Sequence, residues 1–316
     1  MKKIALIDCG TNTFHLMIAE LGSKNFRIIE RIKKAVKIGA GGINNQTILL
    51  DAQDRAIEAL SSFSERIINE KIEEVHAFAT SAFRNATNGE DIKKSIFKIT
   101  GIDVSIITGD REAELIFKGV SLALNLDEKP ALVMDIGGGS VEFIIGNNKE
   151  ISWKRSFEIG GQRLVELFHK SDPIDSNEMK ALDQYFDENL GELVTALSKY
   201  KPLILAGSSG TFDTLSEIYC KENGLDFDEN KPELPLTLSS YLQIHQKLIN
   251  KTREERMQIP GMIEIRVDMI VVASCLINYL VSKYKFESVR VSTYSLKEGA
   301  LAELMNQNSD GRNNPS

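Results

Sequence analysis

The chain has 316 residues, a formal net charge of −7, 42% hydrophobic and 26% charged residues, the composition of a water-soluble globular protein long enough for two domains. The acidic balance excludes a general nucleic-acid binder but leaves room for a polyanionic substrate in a local basic cleft. Cys9, Cys220 and Cys275 are scattered and odd in number, and His15, His76, His169 and His245 show no ligand spacing, which excludes a disulfide scaffold and a zinc or histidine metallohydrolase site and fits a reduced, cytoplasmic protein.

The opening MKKIALID loses its apolar run at Asp8, too early for a signal peptide, and the longest apolar stretch, 269–281, is broken by Ser274 and Asn278; no membrane partner is expected. Residues 3–8, 13–21 and 25–32 read as strands with turns at 9–12 and 22–24. Asp51 is expected to cap a helix to about residue 70, with Ala56, Leu60, Phe63 and Ile67 on one face. A strand at 74–79 leads into a polar turn, 80–88, that holds Arg84; a helix over 90–99 and a strand over 104–107 follow. Thr108, Gly109 and Asp110 then cap a helix over 111–125.

The loop 126–130 reads as the junction between a first domain, 1–125, and a second, 126–295. The second half opens with a hairpin over 132–145 and a third strand over 150–157, then a helix over 160–170. Asp175 with Glu178 forms a capping box for a helix to about 198. A strand over 202–206 empties into Gly207, Ser208, Ser209, Gly210 and Thr211, and a helix follows. Residues 223–236 read as a surface loop, 239–250 and 263–284 as helices, 288–292 as a strand, 296–305 as a last helix and 306–316 as a disordered tail. Strands alternating with helices imply an α/β sheet covered on both faces.

One stretch, LVMDIGGGSVEFII (132–145), reads as strand, tight turn, strand, with Asp135 before Gly137, Gly138, Gly139 and Ser140. The pattern recurs in ALIDCGTNTFHLMI (5–18), where Asp8 matches Asp135, Gly10 matches Gly137 and Thr13 matches Ser140. The offset is constant, 135 − 8 = 140 − 13 = 127, as for a duplicated unit. Two such hairpins facing each other across a cleft would offer two aspartates to Mg²⁺. Their turn amides and hydroxyls, those of Gly10, Thr11, Asn12 and Thr13 included, would suit phosphate. None of the three Gly/Ser/Thr turns fits the G-x-x-x-x-G-K-[ST] loop or the G-x-G-x-x-G turn before a helix.

Among acidic candidates, Glu142 lies two residues beyond Ser140 and is able to activate a water as general base. Glu112 sits in the first turn of a helix, where a carboxylate also stabilises the helix end; Glu114 reads as a solvated face. The basic candidates are Arg84, Arg163, Arg266 and Lys297. A lone arginine is usually a surface residue, but Arg84 follows a strand in a polar turn, where ligand-binding groups collect.

The stretches IDCGTNTFHLMI (7–18), ATSAFRNATN (79–88), ITGDREAELIFKGV (107–120), MDIGGGSVEFI (134–144), SFEIGGQRL (156–164), AGSSGT (206–211) and STYSLKEGAL (292–301) resemble, in order, the exopolyphosphatase / guanosine pentaphosphate phosphohydrolase family of the actin-like ATPase superfamily. The hairpins alone suit any actin-like protein; ATSAFR and REAEL narrow the resemblance to this family. It implies two actin-like (ribonuclease H-like) α/β domains with a cleft between them, the helix 296–305 crossing back onto the first. It implies release of terminal phosphate from inorganic polyphosphate or from guanosine pentaphosphate (pppGpp) with Mg²⁺, K⁺ as an activator, and a homodimer.

By motif position the resemblance makes Glu112 and Glu142 the catalytic glutamates, with Glu112 favoured as the base. Asp8 and Asp135 fall on metal and phosphate positions, and Arg84 on a phosphate contact. Gly137, Gly138, Gly139 and Ser140, with Gly207, Ser208, Ser209, Gly210 and Thr211, fall on phosphate loops; Gly10, Thr11, Asn12, Thr13, Arg266 and Lys297 complete the expected substrate contacts. Thr11 and Thr13 stand where serines are common and keep the hydroxyls. Lys297 replaces an arginine and so gives up a bidentate contact. The helical domain of longer members is absent after about residue 305, from which a preference for short polyphosphates or pppGpp, and distributive release, is expected. The rival readings are an actin-like kinase or ATPase, and a non-catalytic sensor of polyphosphate or pppGpp.

Overall fold

The computed structural model describes residues 2–22 and 25–309. The chain divides into two compact units, one of Met1–Gly119 with Leu296–Ser316, the other of Val120–Ser295. The first division falls inside a helix, not in the 126–130 loop.

The first unit contains β1 (Lys2–Cys9), β2 (Thr13–Leu21), β3 (Phe26–Ala35), α1 (Leu50–Asn69), β4 (Glu74–Ala79), α2 (Ser81–Asn85), α3 (Gly89–Thr100), β5 (Val104–Ile106) and most of α4 (Gly109–Ala123). Its sheet runs β3-β2-β1-β4-β5, with β1, β2 and β3 antiparallel and β1, β4 and β5 parallel. Alternation decides the faces. Ala5, Ile7, Cys9, Phe14, Leu16 and Ile18 share one face and pack with Ala56, Leu60, Phe63 and Ile67 of α1 and with Ile92 and Ile96 of α3.

The second unit contains β6 (Ala131–Ile136), β7 (Val141–Gly146), β8 (Ile151–Phe157), α5 (Gly161–Phe168), α6 (Ser176–Asn189), α7 (Gly191–Tyr200), β9 (Ile204–Ser208), α8 (Ser209–Glu222), β10 (Glu233–Leu234), α9 (Leu238–Asn250), α10 (Arg253–Met257), α11 (Met269–Lys283) and β11 (Ser288–Ser292). Read from β8 its sheet runs β8-β7-β6-β9-β11-β10. An antiparallel β8-β7-β6 set followed by parallel β9 and β11 repeats the strand order of the first unit, as the sequence offset requires.

Several sequence expectations move. Asp51 does not cap α1; Leu49 is the cap residue, and Asp51 lies in the first turn with Arg55 at 2.7 Å. The 80–88 turn contains α2, so Arg84 is helical. The helix expected to 198 breaks at Leu190, which caps both α6 and α7 just before the poor helix former Gly191. The loop 223–236 includes β10. The helix expected from 263 starts at Met269, residues 264–268 forming turns instead. The final helix, α12 (Leu296–Ser309), covers 306–309 of the expected tail; 310–316, like 23–24 of the first loop, lie outside the described residues. Among the described residues no helix is long and apolar enough to cross a membrane.

Helix α12 belongs to the first unit and crosses α4 at Gly299, where an added Cβ would stand 1.7 Å from the Leu115 carbonyl oxygen. Beyond the crossing, Glu303 takes Arg111 Nη1 at 2.7 Å and also pairs with Lys118. Gly299→Ala must push the helices apart, at a cost of about 1–3 kcal/mol or more. The expected result is a lower Tm in thermal unfolding; an unchanged Tm would show that the crossing is not this tight.

Candidate active site

The two hairpin turns are built alike. Gly10 N–H donates to Thr13 O at 3.2 Å, and Gly137 N–H to Ser140 O at 3.0 Å. A Cβ on either glycine would crowd that same carbonyl, at 3.1 Å and 3.0 Å. The turn carbonyls are tied back. Thr11 O accepts Gly39 N–H at 3.2 Å, and Asn12 O accepts both Val36 and Lys37 N–H at 2.9 Å. In the second unit Gly137 O accepts Gly161 N–H at 2.9 Å, Gly138 O accepts Gln162 N–H at 2.8 Å, and Gly139 O accepts Gly160 N–H at 3.1 Å. Arg163 Nε adds a bond to Gly139 O at 2.8 Å.

These peptides are trans, the single cis bond among the described residues being Asp172–Pro173. In a trans peptide the C=O and the following N–H point in opposite directions. Tying the carbonyls of Gly137, Gly138 and Gly139 to α5 therefore turns the amides of Gly138, Gly139 and Ser140 away from it. Asn12 and Thr13 amides are turned out in the same way. Successive N–H groups presented together form an anion-binding concavity.

Gly160 keeps the second loop in shape. A Cβ there would stand 2.5 Å from backbone atoms of Gly138 and Gly139, which have no side chain to yield. Gly160→Ala is expected to shift the turn and weaken binding of inorganic phosphate by about tenfold while circular dichroism stays native. Unchanged phosphate binding in a folded variant would remove this turn from the site.

Glu142 and Asp135 face each other across β6 and β7. The register extends that pair into a polar row: Asp135 lies opposite Ser208 of β9, Ser208 opposite Ser292 of β11, and Glu142 opposite Ser156 of β8. Ser156 Oγ donates to Glu142 Oε1 at 2.6 Å. Ser208 Oγ and Ser295 Oγ both donate to Asp135 Oδ2, at 2.5 Å and 2.6 Å, leaving Oδ1 as the other acceptor. Glu142 is only 1% exposed, so it is a held carboxylate, not one swinging freely into solvent. Ser156, Ser292 and Ser295 were not singled out from the sequence, although each lies in a stretch that carries the family resemblance. Ser156 reaches Glu142 through the β7–β8 register, Ser295 reaches Asp135 from beyond β11, and the Ser292 hydroxyl is spent on Tyr294 O.

In the first unit Glu112 is 7% exposed and accepts Arg84 Nη1 at 2.8 Å; the same nitrogen donates to Ile107 O at 3.1 Å. Thr108 Oγ1 accepts Arg111 N–H at 3.2 Å and Thr108 O accepts Glu112 N–H at 2.9 Å, which fixes the start of α4 and the carboxylate on it. Glu114 lies 3.5 Å from Arg111. Asp8 stands in register with His15, whose Nε2 is 3.0 Å from Thr13 Oγ1; Lys297 Nζ is 3.9 Å from Asp8 Oδ2.

The third turn is different from the hairpins. Gly207 lies in β9, and its missing Cβ makes room for the Phe212 ring, 2.1 Å from where that atom would be; its role is packing. Ser208 is the N-cap residue of α8 but makes no side-chain cap bond, its hydroxyl being committed to Asp135. Gly210 carries the Arg266 guanidinium directly, with Nη2 2.1 Å from the position of a Cβ. Arg266 is 7% exposed, its Nε has no hydrogen-bond partner among the described residues, and burial lowers its pKa against the pull of Asp213 and Asp135. A buried, incompletely satisfied cation at a helix N-terminus suits an anion. Arg163, by contrast, is bound to Gly139 O and to Glu158 at 3.2 Å, which makes it a brace of the glycine turn.

Among the described residues no three His, Cys, Asp or Glu side chains cluster as metal ligands. Mg²⁺ does not need such a cage, since it is held by one or two carboxylates and completed by water and substrate phosphate. Asp8 and Asp135, each beside turned-out amides, fit that sparse demand.

The model of the Ppx/GppA phosphatase family matches residues 17–308. The crystal structure of an exopolyphosphatase from Cytophaga hutchinsonii is similar, with a TM-score of 0.94 and 43% identity over 96% of this chain and 98% of that one. A bifunctional 3-dehydroquinate synthase/phosphatase of Fusobacterium nucleatum is 32% identical over 313 residues, 95% of this chain and 46% of the relative. A guanosine-5′-triphosphate,3′-diphosphate pyrophosphatase of Pseudoalteromonas translucida is 29% identical over 310 residues, 98% of this chain and 61% of the relative. The chain thus spans between about half and three-fifths of the length of these two curated relatives.

Proposed function

The chain belongs to the Ppx/GppA phosphatase family, and on that premise we propose that it is a phosphoanhydride hydrolase releasing the terminal phosphate of inorganic polyphosphate or the 5′-phosphate of pppGpp. The observation that carries the reading is the turn at 137–140, where the carbonyls of Gly137, Gly138 and Gly139 are spent on Gly160, Gly161, Gln162 and Arg163 and the amides of Gly138, Gly139 and Ser140 are left for an anion next to Asp135 and Glu142.

The reaction needs a water oxygen to attack the terminal phosphorus while the bridging P–O bond breaks and its electron pair leaves with the shortened chain. Phosphoryl transfer of this kind depends on positioning and on charge neutralisation. In the second unit the turned-out amides of Gly138, Gly139 and Ser140, with Arg266, hold phosphate oxygens, and in the first unit the amides of Asn12 and Thr13, near Lys297, suit the same group. Glu112, set by Arg84 at 2.8 Å, takes the proton of the attacking water. Glu142, held by Ser156, orients water or metal. Asp8 on the first unit and Asp135 on the second are each a carboxylate that would hold Mg²⁺, whose charge would offset that of phosphate.

The test is phosphate release from polyphosphate, pppGpp and ATP measured side by side, with Mg²⁺ and with a chelator. Release from either of the first two, lost on chelation, is expected. Turnover of ATP alone would replace the reading with an actin-like kinase or ATPase, and binding without turnover would make the protein a sensor.

A further inference from the structure

Residues 251–268 join α9 to α11 and contain a buried arginine that no step above uses. Arg256 is 1% exposed. Its Nε donates to Val267 O at 3.0 Å, and its Nη1 donates to Lys251 O at 2.6 Å and to Asp172 Oδ1 at 2.9 Å. The two carbonyls lie at opposite ends of the segment, so one guanidinium ties it into a closed loop. The other oxygen of Asp172 accepts Arg253 N–H at 2.6 Å, fixing the start of α10 in the same knot.

Beyond α10 the loop has little stiffness of its own. Its backbone bonds are separate four-residue turns, Ile259 to Arg256, Met262 to Ile259 and Arg266 to Ile263, each at 3.0 Å, and Arg266 O accepts Ile270 N–H of α11 at 2.9 Å. It touches α8 at two places. Gly261 approaches so closely that a Cβ would stand 2.8 Å from Ile218 N, and Arg266 lies against Gly210. Burying an arginine is costly, and where shape alone matters an apolar side chain of similar volume is as good or better. A guanidinium is distinguished by its fixed fork of donors. Here that fork holds the carbonyl of the residue next to Arg266.

We infer that Arg256 is a positioning residue for Arg266: by anchoring Val267 O it sets the Arg266 guanidinium on Gly210 at the start of α8. This rests on the hydrolase reading, because Arg266 matters to turnover only if phosphate binds there. The loop is then a support for one cation, and its geometry, not its charge, is what Arg256 contributes.

The test pairs kinetics with a readout that needs no activity. In the full chain, Arg256→Met is expected to raise KM for polyphosphate about tenfold, the scale of losing hydrogen bonds to a charged group, with a smaller change in kcat. In an Arg266→Ala background the same substitution is expected to change KM less than about twofold, since coupled residues are not additive. Amide exchange of residues 259–268 is expected to quicken in Arg256→Met and to stay unchanged in Arg266→Ala. An equal KM shift in both backgrounds, or a lower Tm with KM and exchange unchanged, overturns the inference. If Arg256→Met does not fold, Asp172→Asn, which loosens the same guanidinium from one side, is taken through both measurements. If the wild-type chain releases no phosphate, the hydrolase reading fails by itself, and slow exchange of 259–268 in Arg256→Met still overturns the anchoring.

Discussion

Glu112→Gln is expected to lower turnover by on the order of 10²–10⁴-fold, the range for loss of a general base. The substitution is near-isosteric and keeps a hydrogen-bonding group facing Arg84, which stands 2.8 Å from the native carboxylate, so the start of α4 stays folded. What is lost is the group that accepts the proton. Glu142→Gln is expected to cost less: that side chain sits under Ser156 Oγ at 2.6 Å and opposite Asp135 in the sheet, and the role proposed for it is to orient water or metal. Single-turnover phosphate release at saturating substrate separates the two, with circular dichroism as the control for folding. A large loss in Glu142→Gln alone would reverse the roles.

Asp135→Asn is expected to reduce activity and raise the Mg²⁺ concentration for half-activation together, by at least about tenfold. The fold should tolerate it. Ser208 and Ser295 both donate to Oδ2, and an asparagine carbonyl keeps one acceptor for them. The change removes the negative charge from the centre of the polar row. A magnesium titration of initial rates decides the matter; a wild-type rate with a wild-type magnesium response takes Asp135 out of the site.

The strand–turn–strand repeat was legible because its signals are local. Glycine and aspartate mark the turns, apolar runs mark the strands, and a constant offset links the two copies. Strands 74–79 and 288–292 were readable for the same reason, each a short run rich in apolar and β-branched residues. What escaped depends on contacts remote in sequence. Leu190 ends one helix and starts another in an otherwise helical run. Residues 258–268 are not helical, held instead by Arg256 through Val267 O and Lys251 O. The hydroxyl of Ser156 gains a role only once pairing sets it opposite Glu142, and that of Ser295 only once the segment after β11 reaches Asp135; nothing in a serine's immediate neighbours announces either. Arg163 reads from sequence as a cation for substrate, but its bond to Gly139 O shows it bracing the turn from behind.

The crossing of α12 over α4 has a consequence for synthesis. The second unit is one unbroken stretch, Val120–Ser295, whereas the first is assembled from Met1–Gly119 and Leu296–Ser316. As the chain leaves the ribosome, the second unit has all of its strands before α12 exists. The first unit must wait with β1, which α12 contacts, and with the Leu115 face of α4 uncovered. Order of emergence therefore runs opposite to order of completion: the half that appears first is finished last. Incomplete apolar surfaces of that kind are where nascent chains associate wrongly, so a ribosome-arrested chain stopped before residue 296 should resist protease across 120–295 and be cut within the first unit.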